Sequence, residues 1–130
     1  MSSPAPADFR PVSPVTSKIK KDKAPSSISL TATPDILAST MPVRAHGSVI
    51  VGFALETDDV VTHARAKLES KDLDFIVVND ATEPGAGFGV DTNRVSIISP
   101  DGRVDRLPLM SKPDVADAIL DRVEVLLSGR

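Results

Sequence analysis

The chain has 130 residues, of which 41% are hydrophobic and 25% charged, and its net charge is −3. A single packed core is feasible at this size, and a chain without an overall basic field is a poor general nucleic-acid binder. The absence of cysteine excludes disulfides, thiolate catalysis and cysteine metal sites. No apolar run approaches the roughly 20 residues of a membrane span, so we expect a soluble, cytoplasmic protein with no membrane partner.

The first 27 residues contain five of the eleven prolines, which disfavour any sustained helix or strand. We therefore predict a mobile Pro/Lys-rich segment over residues 1–27 and an α/β domain over residues 28–130. Four lysines fall within six positions of the first segment. Flexible lysines can close over a polyphosphate, although a solvated linker is the alternative explanation. They are Lys18, Lys20, Lys21 and Lys23.

The next elements alternate between helix and strand. Thr33 and Pro34 predict the start of a short helix that ends before Pro42. Residues 48–53 and 75–78 are apolar at successive positions, as in parallel strands covered on both faces. A helix beginning at Thr57 or Asp58 separates the two strands. This order predicts a Rossmann-like three-layer α/β fold with a mostly parallel sheet.

The carboxyl-terminal part follows a different pattern. Residues 85–89 read GAGFG and predict a loop. Residues 95–98 and 104–107 flank a Pro-Asp-Gly turn, which predicts an antiparallel hairpin. Ser111 and Asp114 form a capping box for a final helix that Gly129 can end. Because no opening βα unit or glycine-rich fingerprint precedes these elements, we expect the sheet to be incomplete at one edge.

Polar and aromatic side chains fall where ligands bind in α/β sheets, at the carboxyl ends of strands. Phe53 and Glu56 follow the apolar run of residues 49–51, and Asn79 ends the second strand. Lys67 and Lys71 are spaced i, i+4, so they share a helix face and repel each other unless an anion or carboxylate lies between them. The alternatives are a core phenylalanine, a solvated pair of lysines and a turn-forming asparagine.

The two histidines, His46 and His63, have no acidic or histidine partner at ligand spacing in the sequence. We therefore predict no metal site built from side chains of this chain.

Six short motifs occur in the order seen in phosphopantothenate-cysteine ligases, and the chain resembles the carboxyl-terminal half of that ligase domain. In bacteria the domain is part of a bifunctional flavoprotein that also carries phosphopantothenoylcysteine decarboxylase. The resemblance covers roughly residues 7–127. The motifs are ADFRP (7–11), KIKK (18–21), TPDIL (33–37), VGFALET (51–57), KLESK (67–71) and VVND (77–80).

The resemblance implies ligation of 4'-phosphopantothenate to cysteine in coenzyme A biosynthesis, with CTP and Mg²⁺, through an acyl-cytidylate. FMN is implied only where a decarboxylase domain is fused upstream. The family's amino-terminal half is not found in this sequence, so we expect a homodimer or pairing with that half. The alternative is a non-catalytic nucleotide-binding or interaction module, such as a gene fragment or one half of a split ligase.

The resemblance also assigns roles to individual residues. Lys18 is implied to be catalytic and to contact the nucleotide, and Asn79 is a candidate for contact with substrate. One departure from the family is the presence of Pro4 and Pro6 where small apolar residues are usual. The full set of implied nucleotide-binding residues is Asp8, Lys18, Pro34, Asp35, Ile36, Leu37, Phe53, Lys67 and Lys71.

Overall fold

The computed structural model describes residues 6–80 and 92–130, except for the side chain of Asp80. The chain divides into two compact units, residues 1–39 and residues 40–130. The predicted GAGFG loop lies outside the described residues.

The first unit is built on a two-stranded antiparallel pair. Strand β1 (Phe9–Pro11) pairs with β2 (Leu30–Ala32), and the ladder is extended by a hydrogen bond of 2.8 Å from Thr33 N–H to the Asp8 carbonyl. All residues from 6 to 32 are exposed. In the sequence, the predicted boundary between residues 27 and 28 lies between these two paired strands. The many prolines of this segment gave no indication of the pairing.

One short helix, α1 (Ile36–Ser39), follows the strand pair. It was predicted to begin at Thr33, but it begins two residues beyond Pro34. The Asp35 carboxylate accepts a hydrogen bond of 3.1 Å from the Ala38 N–H, so Asp35 caps the helix. The Thr33 hydroxyl instead donates to the Ala7 carbonyl.

The second unit is a mixed sheet with helices against it. Its described elements are β3 (Val51–Glu56), α2 (Val60–Ser70), β4 (Phe75–Asp80), β5 (Thr92–Asn93), β6 (Val95–Ile98), β7 (Val104–Arg106), β8 (Met110–Ser111) and α3 (Lys112–Ser128).

The main sheet has the strand order β3-β4-β6-β7. Strands β3 and β4 are parallel, β4 and β6 antiparallel, and β6 and β7 form the predicted antiparallel hairpin. A smaller antiparallel pair joins β5 and β8. The predicted α/β class, hairpin and final helix are confirmed. The described sheet contains less parallel pairing than expected, since a buried strand reads as the same apolar run in either direction.

The core lies on both faces of β4, because successive residues of a strand point to opposite sides. Phe75 and Val77 pack in a cluster with β6 and with the apolar stripe of α3. Ile76 and Val78 point the other way, where α2 lies against β3 and β4 and buries Ala64. The unit is therefore a three-layer α/β structure, as predicted.

Local signals set several element ends. Ser111 caps α3 by accepting from the Asp114 N–H at 3.2 Å, as predicted, and α3 ends at Gly129. Helix α2 starts after Asp59, whose backbone adopts a left-handed conformation with φ of 45° and whose side chain makes no capping bond. Among the helices of the described chain, none combines the length and apolarity that a bilayer crossing demands.

Candidate functional site

A carboxylate at the carboxyl end of β3 binds two basic side chains of α2. The Lys67 ammonium donates to Glu56 Oε1 at 2.7 Å, and His63 Nδ1 lies 3.4 Å from Glu56 Oε2. His63 and Lys67 are four positions apart on α2, so they share one face of the helix. The Glu56 side chain is 12% exposed, whereas those of Lys67 and His63 are 43% and 48% exposed. This cluster places two accessible nitrogens beside one largely covered carboxylate.

The cluster keeps Glu56 ionised. The hydrogen bond from Lys67 lowers the pKa of Glu56 below its ordinary value of 4.5, partial burial opposes that shift, and the charge of Lys67 and the contact with His63 add to the lowering. Near neutral pH, Glu56 is therefore an acceptor that orients its neighbours, and it is poorly suited to donate a proton.

Asn79 lies at the carboxyl end of the neighbouring strand, opposite Leu55 in the parallel register. Its Oδ1 atom is buried and has no hydrogen-bond partner among the described residues. Asn79 lines a cavity of about 270 Å³ together with Phe53, Leu55 and Asn93. A buried acceptor without a donor is costly, so this oxygen suits a ligand that carries an N–H or O–H group.

Phe53 is 72% exposed and so does not belong to the core of the described chain. It lines the Asn79 cavity and also a second cavity of about 500 Å³, between β3 and α3, where Leu120 and Lys112 contribute to the wall. The aromatic ring therefore borders both cavities, and most of the residues that line the larger one are apolar.

Lys71 lies just beyond the last residue of α2 and serves as its C-cap. Its carbonyl accepts from Arg44 Nη2 at 2.8 Å, and the Asp72 carbonyl accepts from Arg44 Nη1 at 2.8 Å. Lys67 and Lys71 were expected to repel each other unless an anion or carboxylate lay between them. The protein itself supplies a carboxylate, because Glu56 binds Lys67.

The remaining predicted residues belong to the first unit. Asp8 and Lys18 are exposed, and Asp8 accepts a backbone hydrogen bond from Thr33. Pro34, Asp35, Ile36 and Leu37 form the corner that leads into α1, where Asp35 is the cap and Leu37 is half-buried. Their predicted contacts with a nucleotide stay predictions.

The sequence pattern placed Glu56 at a cleft but did not identify the side chains that bind it, and it gave His63 no role. The acidic partner that His63 lacked in sequence is supplied across the fold by Glu56. The sequence contained part of the evidence for this cluster, since His63 and Lys67 have i, i+4 spacing and Glu56 ends a strand just before the same helix. Asn93, which lines both cavities, had no recognisable signal.

A side-chain metal site was not predicted. Among the described side chains, those of residues 6–79 and 92–130, no three histidine or acidic groups are placed to hold a metal ion.

The fold and these strand-end groups define a mixed α/β domain with a partly apolar cleft, an oriented lysine and an unpartnered amide oxygen. The chain belongs to the family of the DNA/pantothenate metabolism flavoprotein C-terminal domain, whose model matches residues 1–126. The predicted membership of the phosphopantothenate-cysteine ligase domain is thereby confirmed at the level of the family.

Several proteins share the domain. The Bacillus subtilis (strain 168) coenzyme A biosynthesis bifunctional protein CoaBC is 43% identical over 120 residues, covering 92% of this chain and 29% of the relative. A cysteine/cysteine sulfinic acid decarboxylase from an unknown prokaryotic organism is 42% identical over 121 residues, covering 93% of this chain and 34% of the relative.

A crystal structure of the C-terminal domain of CoaBC superposes with a TM-score of 0.66 at 39% identity, covering 78% of this chain and 48% of that one. The chain thus spans about a third of the length of the curated relatives that it matches.

Proposed function

We propose that this chain is the nucleotide-binding part of a phosphopantothenate-cysteine ligase domain that uses CTP. The observation that carries the proposal is that the Glu56–Lys67 pair and the unpartnered Asn79 oxygen lie at the carboxyl ends of two adjacent parallel strands, on opposite faces of the sheet. Strand ends are where open α/β sheets bind ligands. The relatives that are coenzyme A biosynthesis proteins support the same assignment.

Lys67 suits a phosphate oxygen. An ammonium has three donors, and Glu56 accepts from one of them. The exposed part of Lys67 can therefore donate to a phosphate while its position stays fixed. By the same reasoning, Lys71 one helical turn further on is proposed to meet the polyphosphate chain.

Asn79 and Phe53 suit the base or the adjoining substrate. The Asn79 oxygen can accept from an exocyclic amino group, which both cytosine and adenine carry. The choice of CTP therefore rests on the resemblance of the KIKK and TPDIL motifs to bacterial ligases. The ring of Phe53 supplies an apolar surface for the ligand beside that oxygen.

In the proposed reaction, the carboxylate of 4'-phosphopantothenate attacks the α-phosphate of CTP, forming an acyl-cytidylate and releasing pyrophosphate. The amine of cysteine then attacks the activated carbonyl and releases CMP. Lys18 is proposed to stabilise the negative charge that develops at phosphorus, while Asp8 and residues 34–37 contact the nucleotide.

Mg²⁺ is expected to arrive with the nucleotide. Such an ion commonly needs one or two protein carboxylates besides the phosphates, so a pre-formed cluster is unnecessary. Glu56 is already paired with Lys67, and exposed Asp8 is the better candidate. FMN is proposed only for a longer protein that carries a decarboxylase domain.

Calorimetric titration of the chain with Mg·CTP and Mg·ATP tests the proposal. Mg·CTP should bind more tightly, and Lys67→Ala and Asn79→Ala should each weaken its binding. Arg65→Ala is a matched control, since it removes one positive charge from the same helix at an exposed position. Binding of neither nucleotide would reject the assignment, whereas equal or tighter ATP binding would reject only the choice of CTP.

A second candidate is a module that binds a nucleotide or a partner without ligase chemistry. It is favoured by the decarboxylase name of one curated relative. On either account we propose that the chain forms a homodimer or pairs with a ligase amino-terminal half, because β3 is an edge strand of the described sheet. Pyrophosphate release with CTP, phosphopantothenate and cysteine, with and without that half, separates the two candidates.

A further inference from the structure

The two oxygens of Glu56 are used by different basic residues of one helix. Lys67 takes Oε1 and His63 faces Oε2. The His63 backbone N–H donates to the Asp59 carbonyl inside α2, so the imidazole contributes nothing to the helix ladder. Glu56 comes from β3, and Lys67 lies one helical turn further along the same helix as the ring. The arrangement fixes the direction in which both side chains point.

The contact with Glu56 also decides which ring nitrogen remains for a ligand. Nδ1 is the ring nitrogen that faces the carboxylate, at 3.4 Å from Glu56 Oε2. Nε2 is then the nitrogen through which the half-exposed ring can meet another molecule. A neutral ring presents a lone pair at Nε2, whereas a protonated ring presents an N–H donor.

We propose that His63 is a second contact for the phosphate bound by Lys67, and that Glu56 is the positioning residue that orients both. This inference rests on the proposed nucleotide binding. Because only the protonated ring donates to a phosphate oxygen through Nε2, binding takes up a proton from solution. The affinity for the nucleotide should therefore fall as the pH rises.

The test is calorimetric titration of the full chain with Mg·CTP at pH 6, 7 and 8, in two buffers of different ionisation enthalpy. The comparison of buffers measures proton uptake directly. His63→Gln replaces the imidazole at an exposed helix position. His46→Gln is the matched control, since these are the chain's two histidines and His46 borders a different cavity.

The wild type and His46→Gln should take up protons on binding and lose about threefold to fivefold in affinity between pH 6 and 8, the size of one partly exposed ion pair. His63→Gln should bind with no such proton uptake and with little loss across that interval. Proton uptake that persists in His63→Gln, or its absence from the wild type, would overturn the inference while leaving nucleotide binding intact. Failure of the wild type to bind Mg·CTP at any pH would instead overturn the proposed function, and this inference with it.

Discussion

The two units of the chain differ in how far their side chains are buried. In the first unit, Phe9 and Leu30 lie in paired strands yet are 61% and 59% exposed. In the second unit, Ile97 and Ile98 are completely buried, and Glu56 and Lys67 form a fixed ion pair. We propose that the two units have different roles, in which the second unit binds the nucleotide and the exposed lysines of the first unit act during the reaction.

The largest expected effect separates Lys18 from Lys67. In a ligase assembled from this chain and the amino-terminal half of a related enzyme, Lys18→Ala should lower kcat about 100-fold or more, as expected when a group stabilises charge in the transition state. Lys67→Ala should chiefly raise the KM for CTP. Steady-state kinetics measures both, and Lys23→Ala serves as the control within the same segment. A Lys18→Ala enzyme with normal kcat and only a raised KM would contradict the proposed difference in role between Lys18 and Lys67.

A second experiment compares the packing of the two units. Ile97→Ala should lower the free energy of unfolding by about 2–5 kcal/mol, because it leaves a cavity in a close-packed core. Leu30→Ala removes a similar side chain from an exposed strand and should cost less than about 0.5 kcal/mol. Urea unfolding followed by circular dichroism gives both values. Similar losses would mean that Leu30 is covered in solution.

A smaller effect is expected at a close approach between β3 and the segment before β4. A Cβ atom at Gly52 would lie 2.6 Å from Leu73 Cδ1 and 3.5 Å from Ile76 Cγ1. Gly52→Ala should therefore destabilise the second unit by about 1–3 kcal/mol through overpacking. Gly47→Ala is the contrasting control, since a Cβ there meets no atom within 4 Å but must accept a φ of +80°. An unchanged Tm for Gly52→Ala would show that Leu73 moves aside without cost.

The smallest expected effect is on the stability of the fold at acid pH. Ion pairs with Arg122 and Arg103 lower the pKa of Asp105 below 3.8, just as Lys67 lowers that of Glu56 below 4.5. Carboxylates with lowered pKa values stabilise the fold above their ordinary values, and the stabilisation is lost as the pH falls through the lowered ones. Thermal unfolding from pH 7 to 3 should show a smaller decline in Tm for Glu56→Gln and Asp105→Asn than for the wild type. Parallel curves would show that these pairs contribute nothing.

The parts of the fold that depend on local sequence were predictable. The apolar run of residues 75–78, the Pro-Asp-Gly turn and the Ser111 cap each specify their own structure through neighbouring positions. The pairing of β1 with β2 was not predictable, because it joins segments about 20 residues apart in a proline-rich region. The direction of β6 was likewise hidden, since burial on both faces removes the alternation that marks an antiparallel strand.

The candidate site shows the same limit. Lys67, Phe53 and Asn79 were identified from strand ends and helical spacing, with the family motifs behind them. The role of Glu56 as partner of both Lys67 and His63 could not be predicted, because it depends on how far β3 and α2 are rotated against each other. Packing across the sheet sets that rotation. The sequence pattern shows only the spacing of the apolar residues.

We propose above all that a nucleotide binds the second unit at the carboxyl ends of β3 and β4. Backbone amide shifts in heteronuclear NMR, recorded while the chain is titrated with Mg·CTP, test this binding site. We expect saturable shifts at Phe53, Glu56, Lys67 and Asn79. We expect little change at the opposite end of β4, where a cavity of about 630 Å³ is bordered by Asp74, Ser99 and Arg122. Shifts confined to that opposite end, or no saturable shifts, would rule out the proposed binding site.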